Sequence, residues 1–342
     1  MLLAGLMQPA EAAKKHKKHG PKPPRSLTTN DFPDPSVVKT SNGYVVVGTG
    51  PNLPRMTSRN GLAFKAAAPA LTRAPAWARG VGMWAADLVQ RGARWVLYFA
   101  APVRGGKSSS HCIGVATGAR PDGTFTPLDD APLVCPAGLD TPPAEDQFID
   151  TPGATTSNPA TAHGAIDPSF TILGGRSYLL YKTDGSPSTI RLLPLSGDGL
   201  HAAAASRQLL TSSGVVENPV IFRHGPFWYL LTSEGSYATC SYRTVWRRSK
   251  SPLTSWQHQA AHLFLSTSKQ GLCGPGGADV VTNGKNLLVY FHAWTCRHRY
   301  QTCDAPLNPR RSPVRAVYGL RLGFTKHGFP MVDRWLKPRF NR

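Results

Sequence analysis

The chain has 342 residues and a formal net charge of +20 at pH 7, from 39 lysines and arginines against 19 aspartates and glutamates. Its 33 glycines, 31 prolines and only 17% charged residues favour many short strands joined by turns, which predicts an all-β protein. No helix-turn-helix, zinc-finger or RNA-recognition pattern accompanies the basic residues, so the charge argues against sequence-specific binding of nucleic acid.

The amino-terminal region has the composition of an exported protein. Residues 1–13 are interpreted as the remnant of a secretion signal, because a short apolar run ends at a cleavage-site pattern in residues 10–12. Residues 14–30 are interpreted as a basic, proline-rich linker, in which residues 14–25 hold six lysines and arginines and no acid. We therefore expect a secreted protein whose linker associates electrostatically with an anionic cell wall or pectin.

The cysteines support export independently. There are six, an even number without the C-x-x-C spacing of zinc or redox sites. Six cysteines allow 15 pairings, and the order of the predicted hairpins favours neighbours in sequence: Cys112 with Cys135, Cys240 with Cys273, and Cys296 with Cys303. No stretch is apolar for the 18 or more residues that a membrane span requires, so we expect a soluble monomer.

From residue 31 onwards, a strand, turn and strand unit led by an acid recurs along the chain. The clearest copy is residues 165–185, and the most similar one is residues 32–48 with an Asn-Gly hairpin turn. Looser copies begin further along, so that the leading acids are Asp34, Asp87, Asp167, Glu217 and Asp279. Their separations of 53, 80, 50 and 62 residues predict a five-bladed β-propeller over residues 31–342.

Two segments do not follow the repeat. Residues 56–80 show no clear period and are predicted to form a long connection between the first two blades. Residues 136–163 are polar and rich in proline and threonine, which indicates an inserted loop. Its acids lack the spacing of a calcium-binding EF-hand loop.

The geometry of a propeller brings the leading acids together, because the innermost strand of every blade faces the central axis. Burying several carboxylates is costly unless a metal, a base or a shared proton offsets their repulsion, so the recurrence predicts a site. Glycoside hydrolysis needs such a set, with one carboxyl group protonated as general acid and another ionised. Asp87 is expected to be structural, holding the second blade by hydrogen bonds.

The order of motifs over residues 31–325 resembles glycoside hydrolase family 43. The motifs are Phe32-Pro33-Asp34-Pro35-Ser36, Trp84-Ala85-Ala86-Asp87-Leu88, Ala165-Ile166-Asp167-Pro168-Ser169, Val216-Glu217-Asn218-Pro219, and Gly274-Pro275-Gly276 with Tyr290-Phe291-His292-Ala293. The resemblance implies an arabinanase- or xylosidase-like five-bladed propeller with an inverting mechanism.

Carried over position by position, the resemblance implies roles for four residues. Asp34 is the general base that activates water, Glu217 the general acid, and Asp167 the residue that orients Glu217 and raises its pKa. His292 matches a histidine that approaches a calcium ion or its waters on the propeller axis in many members. The family often places a histidine after Gly-Pro-Gly, where this chain has Gly277.

Substrate contacts are predicted from the aromatic residues that adjoin the leading acids, Phe32 and Trp84. Residues 233–249 resemble the arabinan-cleaving members, so an arabinose- or xylose-containing polysaccharide is expected, with α-L-arabinan favoured. Two alternatives stay open at this point. One is a non-catalytic propeller that binds glycans, and the other is a retaining fructan hydrolase that uses Asp34 as nucleophile.

Overall fold

The computed structural model describes residues 23–105, 110–128, 131–137, 142–148, 164–185, 187–253, 255–296 and 301–339. The proposed signal remnant, the basic part of the linker before residue 23 and most of the inserted loop lie outside the described residues.

Five sheets follow one another along the chain, and each sheet is one blade. Their strands pair antiparallel, except for one short parallel pair at the outer edge of blade two. Blade one contains β1 (Ser36–Thr40), β2 (Gly43–Val47), β3 (Arg55–Ser58) and β4 (Lys65–Ala67). Blade two contains β5 (Trp84–Arg91), β6 (Arg94–Pro102), β7 (His111–Gly118), β8 (Thr126–Pro127), β9 (Val134–Pro136) and β10 (Asp146–Phe148). Blade three contains β11 (Ala165–Leu173), β12 (Arg176–Thr183), β13 (Ser188–Pro194) and β14 (Arg207–Ser212).

The last two blades complete the ring. Blade four contains β15 (Val216–His224), β16 (Phe227–Glu234), β17 (Arg243–Ser249) and β18 (His262–Leu265), followed by a short helix, α1 (Thr267–Gln270). Blade five contains β19 (Cys273–Asn283), β20 (Asn286–Cys296), β21 (Gln301–Thr302), β22 (Val314–Phe324) and β23 (Pro330–Trp335), with a 3₁₀ turn at Pro309–Arg311. The first strands of neighbouring blades contact one another all round the ring, which confirms the predicted five-bladed propeller.

The hydrophobic core is divided among the five blade interfaces. On β6, Leu97 and Phe99 pack towards blade one, whereas Val96 and Tyr98 pack towards blade three. Successive side chains of a strand point to opposite faces, so one apolar run supplies two interfaces. This explains why the second strands of the blades carry apolar residues on both faces.

The structure corrects two sequence-based boundaries. Residues 56–80 are not only a connection, because β3 and β4 lie partly within them. The predicted linker of residues 14–30 also ends too late: Leu27 is buried, and its N–H donates to the Val317 carbonyl at 2.7 Å. The reason is that β23 pairs with β22 only from Leu320 onwards, so the free edge of β22 accepts the incoming chain and closes the ring.

The three predicted disulfide pairs are confirmed: Cys112–Cys135, Cys240–Cys273 and Cys296–Cys303. The second of them joins the loop after β16 to the start of β19, and so ties blade four to blade five. No helix among the described residues is long and apolar enough to cross a membrane.

Candidate active site

A bulge recurs near the start of the innermost strands. In β5, β11, β15 and β19 the register with the second strand shifts at this point. One residue per blade adopts a positive φ there, and these residues are Asp34 (51°), Ala85 (45°), Asp167 (56°), Asn218 (47°) and Gly277 (60°). Asp, Asn and Gly tolerate this left-handed conformation best, which explains the residue types at four of the five positions. A bulge redirects side chains, here at one end of the propeller axis.

A small axial cavity of about 40 Å³ lies among these bulges. Four of the five leading acids line it, namely Asp34, Asp87, Asp167 and Asp279, and Glu217 immediately precedes the lining residue Asn218. A cavity of this size has room for a few water molecules. The acids therefore meet on the axis as predicted, although they do not all occupy equivalent positions in their blades.

Asp34 is held by the first two blades and the fifth. Thr49 donates its hydroxyl hydrogen to Asp34 Oδ2 at 2.7 Å, and the same hydroxyl accepts from the Ala85 N–H at 2.8 Å. The backbone N–H of Asp34 donates to His292 Nδ1 at 3.1 Å. Asp34 Oδ1 lies 3.3 Å from His292 Nδ1, which accepts the Asp34 N–H and so has no hydrogen to donate. Oδ1 of this partly exposed carboxyl group can therefore accept from a water molecule.

Both carboxyl oxygens of Glu217 have a donor. Lys182 Nζ lies 2.8 Å from Oε2, and the Tyr242 hydroxyl lies 2.6 Å from Oε1. Burial alone would lower the pKa of Lys182, but the negative charges of Glu217, Asp167 and Asp184 raise it further than burial lowers it. Lys182 therefore remains a cation within a buried, acidic cluster, where it offsets the repulsion between the carboxylates.

Asp167 connects to Glu217 through the backbone. Its Oδ2 accepts the N–H of Asn218 at 2.9 Å, which fixes the chain immediately after Glu217. Burial raises the pKa of Asp167 well above its ordinary value; the charge of Glu217 raises it too, and Lys182 opposes this. The structure thus brings the three acids together: Asp34 and Asp167 line one cavity, and Asp167 holds the amide that follows Glu217.

Two residues of this site were not predicted from the sequence, Lys182 and Tyr242. Tyr242 is 1% exposed and packs beneath Gly276, where a Cβ would come within 2.1 Å of its ring. Burial and then the charges of Glu217, Asp34 and Asp167 raise its pKa, which keeps the phenol neutral. In the sequence, Lys182 is marked only as a lysine in a largely apolar strand. Its pairing with Ile166, next to Asp167, is visible only in the structure.

His292 is fully buried beside Asp34. Burial, and then the positive charge of Arg315, lowers its pKa well below the ordinary value, so the ring is neutral. Because Nδ1 accepts from the Asp34 N–H, Nε2 carries the hydrogen, and no described residue accepts it. A nitrogen that carries hydrogen does not ligate a cation, and the described residues contain no group of three or more potential metal ligands.

These residues therefore do not fit a calcium ion bound directly by His292, and the proposed reaction does not involve such an ion. A calcium ion elsewhere on the axis remains a prediction, which elemental analysis of the purified protein would test.

The two predicted stacking residues differ in position. Phe32 is 1% exposed and packs against Gly48, so its ring belongs to the core and offers no face to a sugar. Trp84 is 36% exposed and stacks on His111 at 3.8 Å between ring centroids. It immediately precedes the bulge residue of blade two, the position that Glu217 occupies in blade four. Trp84 is thus the aromatic residue whose placement fits substrate contact.

Asp87 and Asp279 lie two residues beyond the bulge and have different partners. Asp87 accepts from the Phe170 N–H at 2.6 Å and from the Ser36 hydroxyl at 3.1 Å, and Asp279 accepts from the Val37 N–H at 2.6 Å. Burial and the charge of Asp279 raise the pKa of Asp87 to about 7, and burial raises that of Asp279 to about 6. These acids hold neighbouring blades together, as expected for Asp87.

A propeller with three clustered carboxyl groups at one end of its axis has the architecture of a glycoside hydrolase. The sequence profile of glycosyl hydrolases family 43 matches residues 24–151 and 141–305, and the chain belongs to this family. It is an O-glycosyl hydrolase. No curated protein sequence matches the chain.

Solved structures with the same fold include a thermostable family-43 glycoside hydrolase, at 19% identity and a TM-score of 0.70, covering 93% of this chain and 98% of that chain. The α-L-arabinanase of Cellvibrio cellulosa has 19% identity and a TM-score of 0.65, covering 92% and 100%. An endo-1,4-β-xylanase from Bacteroides thetaiotaomicron has 19% identity and a TM-score of 0.63, covering 92% and 98%. At these identities, the likeness demonstrates the fold alone.

Proposed function

We propose that the protein is a secreted, inverting hydrolase of arabinose- or xylose-containing plant cell-wall polysaccharides, with α-L-arabinan as its substrate. The observation that carries the proposal is the clustering of Asp34, Asp167 and Glu217, which come from three blades and meet at one end of the axis. Asp167 is close enough to both other acids for their charges to raise its pKa. The three disulfides suit an oxidising compartment, and so support secretion.

In the proposed reaction, Asp34 removes a proton from a water molecule while the water oxygen bonds to the anomeric carbon. The bond between that carbon and the glycosidic oxygen breaks on the opposite face, and Glu217 gives its proton to the departing oxygen. Asp34 Oδ2 is already bonded to Thr49. Oδ1 is therefore the oxygen assigned to the water.

The residues around Glu217 have complementary roles in this scheme. Burial and the charge of Glu217 raise the pKa of Asp167, so Asp167 can hold a proton close to Glu217. The proposal assigns delivery of the proton to the departing oxygen to Glu217. After delivery, Lys182 and Tyr242 stabilise the carboxylate, because each places a hydrogen-bond donor on one of its oxygens. Asp167 holds the adjoining Asn218 amide and so keeps Glu217 in position.

The choice of arabinan is supported by the arabinanases among the structural neighbours, one of them solved in complex with arabinohexaose. Because a xylanase is also among the structural neighbours, xylan is included as a substrate in the test below. Trp84 is exposed and adjoins Ala85, which lines the axial cavity. One face of its ring stacks on His111, and the C–H groups of a sugar ring can stack on the other.

The test combines substrate and stereochemistry. Wild type, Asp34→Ala and Glu217→Ala are incubated with debranched arabinan, branched arabinan and xylan, and the first product is followed by NMR. We expect release from arabinan by wild type alone, with the anomeric configuration inverted. A product of retained configuration would overturn the inverting mechanism and favour a nucleophilic Asp34. Release from xylan but not from arabinan would overturn the substrate assignment.

A further inference from the structure

We propose that the face opposite the active site carries a second binding site, a basic groove that takes a segment of an anionic polysaccharide. The groove has a volume of about 1240 Å³ and is formed by the hairpin turns of blades one and two and by the carboxyl-terminal segment. It lies at the far end of β1 from Asp34, roughly 16 Å away along five strand residues. This site is independent of the proposed hydrolysis.

Charge is the first argument for an anionic ligand. Five basic side chains line the groove, namely Lys39, Arg59, Lys65, Arg120 and Arg339, and Asp122 is the acid among its lining residues. Arg120 is already paired with Asp122 at 2.7 Å. Among the described residues, no acid forms an ion pair with the other four, so their charges are available to a ligand. Clustered like charges in a concave site attract and concentrate an oppositely charged partner.

The walls of the groove are held by hydrogen bonds. Arg55 is 4% exposed, and its guanidinium group donates to the carbonyl groups of Pro121 and Gly123, which joins blade one to the loop of blade two. Asn60 Oδ1 accepts the N–H groups of Leu62 and Ala63 at 2.8 and 3.1 Å, which orders the segment between β3 and β4. The cations therefore project from a formed surface and need little ordering when a ligand binds.

The size and lining of the groove favour a polymer segment of sugars. A small-molecule pocket usually measures about 300–1,000 Å³, so this groove exceeds the space that one small anion requires. Hydroxyl and amide groups from Ser41, Asn42 and Asn60 line it beside the cations, and these groups can bond to sugar hydroxyls. Carboxylates on successive sugars are suitable partners for arginine and lysine.

The lining is less suited to nucleic acid. Single-stranded nucleic acids bind on exposed aromatic faces, whereas Tyr44 and Trp95 in this groove are only 5% and 9% exposed. The third aromatic residue, Phe64, is half-buried and packs edge-on against Tyr290. The face consists of strand turns, and none of its described elements is a helix that could enter a major groove. The proposed ligand is therefore a polyuronate, an anionic polysaccharide with one carboxylate per sugar.

The test compares two full-chain variants that lose equal charge. The groove variant carries Lys39→Ser, Arg59→Ser, Lys65→Ser and Arg339→Ser. The control variant carries Arg176→Ser, Lys250→Ser, Lys285→Ser and Lys326→Ser, all at exposed positions outside the groove. Both variants keep the basic amino-terminal segment, so its contribution to binding cancels in the comparison.

Binding to polygalacturonate is measured by calorimetry at low and moderate salt. We expect the groove variant to lose about tenfold or more in affinity and the control variant less than about threefold, with weaker binding of both at higher salt. Hydrolysis of a short neutral oligosaccharide should be unchanged in both variants, which separates this site from the active site.

Three results would overturn the proposal. One is an equal loss of affinity in the two variants, which would show non-specific attraction. The other is wild-type binding of single-stranded RNA as tight as that of polygalacturonate and equally sensitive to the groove substitutions, which would favour nucleic acid. Absence of wild-type binding to polygalacturonate would also refute it.

Discussion

Two sets of carboxyl groups stand near the starts of the innermost strands, each set on different blades, and they differ in what surrounds them. Asp34, Asp167 and Glu217 lie at or next to the bulge, where the side chains of Thr49, Lys182 and Tyr242 meet them. Asp87 and Asp279 lie two residues further along their strands, where backbone amides and one serine meet them. A shift of two residues thus separates acids placed for chemistry from acids that hold the blades together.

Asp167 belongs to both sets. Around the ring, a side chain of one blade accepts an N–H of the next: Ser36 from Leu88, Asp87 from Phe170, Asp167 from Asn218, Ser233 from Gly277, and Asp279 from Val37. The bond from Asp167 is the one that also positions Glu217. The active site is therefore built on a bond that the other interfaces use only for structure.

The largest expected effect separates the two sets directly. Asp34→Ala should lower kcat by about 10²–10⁴-fold, the usual contribution of a general base, with little loss of stability. Asp87→Ala should leave kcat almost unchanged but lower the free energy of unfolding by about 1–3 kcal/mol, because the buried Phe170 N–H loses its acceptor. Steady-state kinetics and urea denaturation of both variants test this. A folded Asp87→Ala protein without activity would contradict the separation.

A substitution of Lys182 tests whether the buried carboxyl groups of Asp167 and Glu217 need a nearby cation for the protein to be stable. Lys182→Met should lower the free energy of unfolding by about 3–5 kcal/mol, because Glu217 and Asp167 are left buried without a positive charge. Adding Glu217→Gln should restore part of that stability, which a double-mutant cycle in urea measures. Additive losses in the double variant would show that the 2.8 Å contact carries no coupling.

The pair of axial acids should make stability depend on pH. Their folded pKa values of about 7 for Asp87 and about 6 for Asp279 lie above the unfolded value of roughly 3.9. The stability they contribute is therefore fully present below about pH 4 and is lost as the pH rises through 6 and 7. Asp87→Asn with Asp279→Asn should flatten that decline in urea denaturation between pH 4 and 8. An unchanged slope would assign the decline to other groups.

The smallest expected effect concerns Trp84. Trp84→Ala should raise KM about three- to tenfold with kcat nearly constant, because stacking contributes about 0.5–1.5 kcal/mol to binding. Trp84→Phe keeps an aromatic face and is expected to recover most of the affinity. Initial rates on arabino-oligosaccharides check this, and equal KM values for all three proteins would remove Trp84 from the binding site.

Much of the site could be predicted because its acids occur in short, recognisable sequence motifs. An acid followed by proline and serine opens the hairpins at Asp34 and Asp167, and the recurrence located the other blades. Lys182 and Tyr242 could not be found in this way, because their importance depends on their contacts with Glu217. Those contacts join residues that are 35 and 25 positions apart in the sequence. Phe32 was misassigned because a residue beside a leading acid can point into the core as easily as into the pocket.

By itself, the amino-acid sequence determined the strand-rich fold, the five repeats and the identity of the leading acids, and it favoured the disulfide pairs that the structure contains. These properties depend on local pattern and residue type, which can be read along the chain. Only the tertiary structure decided which acids lie at the bulge and which lie two residues beyond it. The repeat in the sequence does not show where a bulge shifts the strand register. It also decided that the free edge of β22 binds residues before the first blade, and that basic residues from distant segments meet in one groove opposite the active site.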